Sequence, residues 1–432
     1  MKKDGSHHCN FFKMKSRRDF LKISAAATAV VGLGLVACKR EEPFVMANVA
    51  DQDKIKVGLI GAGDRGKSIL IALQYVGQIK VVALCDTLDF QINGAKKYLN
   101  NKITEYKDYK QLLAHKGLEA VIIATPLSDH YRMVMDAFDA DLHIMCEKAL
   151  AYDIQQCIEI KKRGDQSKKI FQVSYQYQLN PVFNAIKDII TNGYLGKLTR
   201  VECSWDRFGD WRRKIPSSEY ERQLNWRLYK EYSGGLMAEL ASHQLNMVDN
   251  IIGTHPIKVV GTGGIDYWKD GRETFDNVHT LFDYPGGVKV GFHSGTSNKH
   301  EGYQMKFYGD KGTIISHAMA QATIIPQGEA VSEEWENNVD SVTGASIKII
   351  GKKTNHRKII PEKNDQIIFP KPDNDFFNVT WRLYDNFAKA IRGEEELILG
   401  LKDGYQSAVT VHMANDAMYN EKVVHWLDEY NV

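Results

Sequence analysis

Residues 55–67 read IKVGLIGAGDRGK. A short apolar run, Ile55 to Ile60, leads straight into Gly61-Ala62-Gly63-Asp64-Arg65-Gly66, and a helix-forming stretch follows from Lys67 to Tyr75. A GxGxxG string by itself is a weak signal, but between a strand and a helix each glycine has a task. Gly61 permits the tight turn, Gly63 lets the main chain approach a pyrophosphate, and Gly66 lets helix and strand pack closely. The pyrophosphate would rest on the free N–H groups at the helix N-terminus. A second apolar run, Ile79 to Cys85, ends in Asp86, 20 residues beyond Gly66. A carboxylate there accepts from both ribose hydroxyls and repels a 2′-phosphate, so NAD is favoured over NADP. Arg65 keeps NADP open, because a nearby Arg can hold that phosphate.

Working outward, the strand–helix alternation continues. A helix from Asp89 to Leu99 precedes Tyr106-Lys107-Asp108-Tyr109 and a short helix through Ala114. Glu119 to Ala124 reads as a buried strand ending in Thr125-Pro126, with Ser128-Asp129 capping the next helix and His130 in its first turn. Leu142 to Cys146 reads as a strand ending in Glu147-Lys148, and Ile170 to Tyr175 as another, followed by Gln176. Ligands of open parallel sheets bind at the carboxyl ends of the strands, and Thr125, Pro126, Glu147, Lys148 and Gln176 all fall there. This predicts an α/β fold with a Rossmann dinucleotide-binding domain over 55–178.

The 432 residues exceed one ordinary core and suit two domains. A net charge of +2 offers no field for nucleic acid. The six cysteines lack metal-finger spacing or a disulfide framework, so no metal is expected. The first 38 residues read as an address rather than as structure. Ser16-Arg17-Arg18-Asp19-Phe20-Leu21-Lys22 is a twin-arginine signal, and an apolar stretch from Ile23 to Ala37 follows it. Leu35-Val36-Ala37-Cys38 resembles a lipobox, which implies lipidation at Cys38 and a periplasmic protein touching membrane only through that anchor. A linker over 39–54 follows. Twin-arginine export carries folded proteins, so a cofactor can travel already bound.

At Glu147-Lys148 the chain resembles the glucose–fructose oxidoreductase, inositol dehydrogenase and MocA (Gfo/Idh/MocA) family. The resemblance rests on Gly61 to Gly66, Asp86, Tyr106-Lys107-Asp108-Tyr109, Thr125-Pro126 with His130, Glu147-Lys148, Gly234-Gly235 followed by His243, and Gly309-Asp310-Lys311-Gly312-Thr313. It implies a nicotinamide cofactor, a sugar or polyol substrate, and Lys148 as the active-site lysine. It also brings His130 and Gln176 into the cofactor set. Three departures concern the proton-transfer groups. Ala149 stands where a Pro is usual, Glu239 is a methylene longer than the usual acid before the His, and Asn246 replaces an acid after it.

The second domain, 179–432, reads as α+β with a largely antiparallel open sheet, through which copies of the chain would pair. Its runs are Leu198 to Trp205, Ile257 to Ile265, Val278 to Tyr284, Val288 to Ser294, Gln304 to Tyr308 and Thr313 to Ile315. A polar insertion spans Gln327 to Asp365, and helices from Phe376 to Arg392 and Asp403 to Tyr419 close the chain. Glu239 and His243 are four apart and would share a helix face. His243 either relays the proton with Lys148 or is a core histidine bonded to Glu239. Trp205, Arg207, Trp211, Arg212, Arg213, Trp226, Arg227 and Tyr229 form a segment whose aromatic faces and Arg forks suit a sugar. The same residue types also build contacts between domains or subunits.

Three functions are compatible with these residues. The first is hydride transfer between a nicotinamide and a sugar hydroxyl. The second is an NAD-dependent glycoside hydrolase or lyase that oxidises, eliminates and re-reduces. The third is a noncatalytic sugar-binding protein, against which Asp86 and Lys148 argue. Export favours cycles that regenerate their own cofactor, because net oxidation stalls without a free dinucleotide pool.

Overall fold

The structure, a computed structural model, describes residues 49–317, 321–327 and 380–432, together with the backbone of two short strands at 347–350 and 357–361. The export signal, Cys38, most of the linker, the rest of the polar insertion and residues 376–379 lie outside the described residues.

Six parallel strands make the first sheet: β1 (Ile55–Ile60), β2 (Ile79–Cys85), β3 (Thr104–Tyr106), β4 (Ala120–Ile123), β5 (His143–Cys146) and β6 (Phe171–Val173). Their order is β3-β2-β1-β4-β5-β6. β4 is buried at every position and β1 at all but one, as expected of parallel strands covered on both faces. The covering helices are α1 (Asp64–Leu73), α2 (Asp89–Lys96), α3 (Tyr109–Leu113), α4 (Leu127–Asp139) and α5 (Ile154–Asp165). The order reverses between β1 and β4, so the loops leaving these two strands part and open a crevice.

Two local expectations are corrected. α1 begins at Asp64, not Lys67, because the Lys67 N–H already bonds to the Gly63 carbonyl (2.9 Å) and closes the first turn. Ser128-Asp129 do not cap α4. Pro126 holds the N-cap position, Asp129 pairs with Arg132, and the Ser128 N–H donates to the Tyr232 carbonyl (3.3 Å). The helix starts directly off the strand, and a carbonyl from a distant segment satisfies one of its free donors.

After α6 (Pro181–Thr191) come β7 (Leu198–Trp205), β8 (Lys258–Gly264), β9 (Asn277–Asp283), β10 (Lys289–Gly295), β11 (Tyr303–Gly309), β12 (Gly312–His317), β13 (Gln321–Pro326), β14 (Ile347–Ile350), β15 (Arg357–Pro361) and β16 (Val424–His425). They form one sheet in the order β14-β15-β13-β12-β11-β7-β10-β9-β8-β16. All pairings are antiparallel except β7 with β10. Burial alternates along β9 and β10, the pattern of a sheet packed on one face only. Helices α7 (Ser242–Ile252) and α9 (Leu401–Tyr419) pack on each other, and α9 lies against β8. Ile257, Val260 and Leu281 remain exposed near the β8–β9 end.

The C-terminal helices serve both sheets. α8 (Thr380–Arg392) packs on α1, and α9 packs on α5 and β6. A Cβ at Gly404 would collide with Val173, so that glycine sets how closely α9 approaches the first sheet. One apolar core accordingly runs through both sheets.

Candidate active site

A cavity of about 1320 Å³ runs from the glycine loop past the ends of β4 and β5 to the rim of the second sheet. Gly61 has φ +95° and its missing side chain would collide with the Ala124 carbonyl oxygen, while a Cβ on Gly66 would strike the Gly61 carbonyl oxygen. A Cβ at Gly63 would meet nothing within 4 Å. The main chain is thus bare toward the cavity where a diphosphate would approach, and the N-terminus of α1 has no side-chain cap to occupy its donors. Asp86 holds the loop from below, accepting from the Ala62 N–H (2.8 Å) and the Leu88 N–H (2.9 Å). Burial raises its pKa against the pull of those two bonds. Each carboxylate oxygen keeps a lone pair for ribose. These residues fit a dinucleotide.

Arg65 is engaged by side chains at the ends of β5 and β6. Its Nε donates to Glu147 Oε1 (2.6 Å) and its Nη2 to Ser174 Oγ (3.2 Å), with Gln176 Oε1 at 3.5 Å. Burial works against its charge, but Glu147 outweighs burial and the pKa is raised. A guanidinium committed in this way is not available to a 2′-phosphate. His130 is committed too. Its two ring nitrogens face the carbonyls of Ala149 (2.9 Å) and Thr125 (3.1 Å), tying the ends of β4 and β5 together.

Lys148 stands at the centre. Its Nζ donates to the carbonyls of Ala238 and Glu239, both at 3.1 Å. The peptide bond from Lys148 to Ala149 is cis. Burial lowers the Lys148 pKa, against the pull of Glu239 and Glu147. Burial pushes Glu239 up, but Lys148 and Arg227 outweigh it and hold the carboxyl below its usual value. Its partner is Arg227, whose Nε donates to Glu239 Oε2 at 2.8 Å.

Glu239 and His243 both line the cavity, but the reading of His243 as a core histidine bonded to Glu239 is corrected: Glu239 bonds to Arg227. Met237–Ala241 is a π-helical turn ahead of α7. His243 instead sits in an aromatic frame, with ring centroids 4.7 Å from Tyr177 and 5.9 Å from both Tyr175 and Trp205. Burial, then the charges of Lys148 and Arg65, push its pKa well below the usual value, so it is neutral. Its Nδ1 is buried without a partner, which leaves Nε2 as the nitrogen able to meet a ligand. Asn246 is tied down elsewhere, accepting from Gln178 Nε2 (2.7 Å) and donating to Ser407 Oγ (2.9 Å).

Residues 205–232 strap across the cavity. Trp205, Arg207, Trp211, Arg213, Trp226 and Arg227 line it; Arg212 and Tyr229 do not. That corrects the expectation for these two. Arg212 is bound to Glu221 and Asp270, and the buried Tyr229 donates to Glu221 (2.8 Å). The strap reaches the residues around the glycine loop and the end of β2 as well. Arg213 pairs with Asp64 (3.2 Å), Gln223 Nε2 donates to Thr87 Oγ1 (2.7 Å), and Tyr220 meets Phe90 edge-on (5.6 Å). Tyr177, Thr87, Lys214 and Gln223 line the cavity as well and were missed in the sequence. Tyr177 and Thr87 directly follow the strand-end residues Gln176 and Asp86, and that adjacency was the available signal.

The profile described as "Oxidoreductase family, NAD-binding Rossmann fold" matches residues 55–175, and "Oxidoreductase family, C-terminal alpha/beta domain" matches 187–425. A twin-arginine translocation signal matches 16–34. The inositol 2-dehydrogenase/D-chiro-inositol 3-dehydrogenase of Lactiplantibacillus plantarum is 31% identical over 154 residues, 34% of this chain and 43% of that one. A glycosyl hydrolase family 109 protein of Shewanella baltica is 24% identical over 237 residues, 49% of this chain and 50% of that one. The chain spans about half the length of the curated relatives it matches. In fold it is similar to a levoglucosan dehydrogenase solved with NADH and levoglucosan, with TM-score 0.69 and 17% identity over 86% of this chain and 99% of that one.

Proposed function

The chain belongs to the Gfo/Idh/MocA oxidoreductase family, and from that premise we propose that it moves hydride between a bound nicotinamide and a hydroxyl of a sugar-like substrate in the periplasm. One observation carries the reading. Lys148, its ammonium tied to two carbonyls and flanked by Glu239 and neutral His243, opens onto the same cavity as the bare Gly63 loop and Asp86.

When bound, the dinucleotide supplies the hydride acceptor and donor. Gly61, Ala62, Gly63, Asp64 and Gly66 form the loop for the diphosphate, with Asp86 for the ribose, Thr125 and Pro126 beside the ring end, and Glu147, Gln176 and His130 supporting from behind. Arg65 holds Glu147 rather than a 2′-phosphate, which supports NAD. A carbinol losing hydride must also lose its hydroxyl proton. Lys148 spends two donors on carbonyls and has a third for that hydroxyl, polarising the O–H bond. His243 Nε2, held neutral, accepts the proton. Glu239, held anionic by Arg227 and Lys148, steadies the charge on Lys148. The strap excludes water and stacks Trp faces on the sugar.

The likeness to a glycosyl hydrolase family 109 protein favours a second reading, in which the same site oxidises a glycoside transiently and ends redox-neutral. Cys38 would anchor the protein by a lipid, and the exposed Ile257, Val260 and Leu281 would pair copies of the chain through the second sheet.

A panel of sugars and aryl glycosides, offered to purified protein without added cofactor, tests this. Stoichiometric appearance of reduced-nicotinamide absorbance, reversed by a second sugar, supports the oxidoreductase. Many turnovers of an aryl glycoside support the second reading. No absorbance change and no product from any sugar contradicts both.

A further inference from the structure

The cavity is lined by more cations than acids. Glu147 and Glu239, the two carboxylates beside Lys148, are already bonded to Arg65 and Arg227. Arg213 is paired with Asp64. Arg207 and Lys214 line the same cavity and make no ion pair among the described residues. The Arg207 guanidinium lies over the Trp211 ring, 5.3 Å from its centroid. That contact uses none of the guanidinium's N–H donors. Partial burial, then repulsion from Arg213 and Arg227, lowers the Arg207 pKa.

Arg207 is also close to the chemistry. Its charge acts on the Tyr177 hydroxyl, and the Tyr177 ring stands 4.7 Å from that of His243. Trp205, two residues before Arg207, closes the other side of the His243 frame. The glycine loop that suits the cofactor's diphosphate lies beside Asp64 and Asp86, on the side where Arg213 reaches Asp64. Arg207, beside the Tyr177 and His243 rings, therefore brings unpaired positive charge to the place where the substrate would lie.

We infer that the substrate is an anionic sugar, a sugar acid or a sugar phosphate, whose carboxylate or phosphate is received by Arg207, while Trp211 and Trp205 flank the ring. This rests on the reading of the cavity as a dinucleotide and sugar site. Forked hydrogen bonds from a guanidinium to an anion are directional and short, so the group also fixes which carbon faces the nicotinamide.

The test is ligand binding to the purified holoprotein, followed by quenching of the fluorescence of the cavity tryptophans. The probes are glucose, galactose and mannose, their uronates and their 6-phosphates. An anionic probe is expected to bind roughly ten- to a hundredfold tighter than its neutral parent. Whether uronate or phosphate is preferred identifies the source of the charge. In Arg207→Gln that preference falls toward one while bound dinucleotide per chain stays as in the wild type, and Arg207→Lys keeps part of the preference. Equal or absent binding of all probes, a preference that survives Arg207→Gln, or loss of the dinucleotide from Arg207→Gln overturns the inference. Anion-selective binding with no change in nicotinamide absorbance leaves the anion site standing and removes the dehydrogenase reading instead.

Discussion

The cavity wall made by the first sheet and the wall made by residues 205–232 hold their functional groups in different ways. On the first wall the main chain does most of the work. Gly61 turns, Gly63 stays bare, and the Asp86 carboxylate is set by two backbone N–H groups. On the second, side chains hold side chains: Arg227 with Glu239, Arg212 with Glu221 and Asp270, Arg207 over Trp211. Backbone geometry of the first kind follows from a short local string. Networks of the second kind depend on partners dozens of residues apart, and rearranging them costs little backbone energy. The first wall is accordingly suited to a fixed cofactor, and the second to a variable substrate.

Substitutions on each wall sharpen the contrast. The largest effect is expected where the walls meet. Lys148→Ala should lower kcat by roughly 10² to 10⁴-fold, the span of a lost proton-transfer group, while the dinucleotide remains bound; unchanged turnover would remove Lys148 from the mechanism.

Within the first wall, Gly61→Ala and Gly63→Ala should part company. The first forces a side chain into positive φ and onto the Ala124 carbonyl, so it should lose about 1–3 kcal/mol of stability. The second has open space and should melt like the wild type, yet bind dinucleotide more weakly. Wild-type affinity in Gly63→Ala would mean that the loop does not cradle the diphosphate.

Both walls share a weakness to acid. Burial lowers the pKa values of His130, His143, His243 and His412 below 6.5. Below pH 6.5 the unfolded chain takes up protons that the folded one refuses, so stability should fall as pH drops from 7 to 5. Asp249, raised by burial to about 7, and Asp86, also raised by burial, work the other way, against four histidines. A melting temperature that is flat or rises on acidification would contradict the burial of these rings.

The smallest effect belongs to the strap's latch. Gln223→Ala removes the bond to Thr87 and should speed dinucleotide release by a few-fold, as loss of a single exposed hydrogen bond would. Release at the wild-type rate would show that the strap does not hold the cofactor end.

The same division governs what the sequence could reveal. The first sheet was legible because an unbroken apolar run, a glycine string and an acid at fixed spacing each have one local meaning. The second sheet was legible as alternation, though the two-residue edge strand β16 is too short to show it. Pairings across space were not legible. Helical spacing put Glu239 and His243 toward one cavity, but it could not show that Glu239 bonds Arg227 rather than the histidine. Nothing local to Arg65 reveals that it turns toward Glu147 rather than the ribose, since the two are 82 residues apart. Arg212 and Tyr229 have the composition of a sugar site and the contacts of a scaffold.

The central claim is that a nicotinamide dinucleotide lies over Gly63 with its reactive end at Lys148. The direct test is the absorbance and mass of small molecules released from protein purified without added cofactor. The account predicts close to one dinucleotide per chain, reduced on addition of a substrate sugar and still bound in Lys148→Ala. No released dinucleotide, together with no uptake of added NAD or NADP, would contradict it.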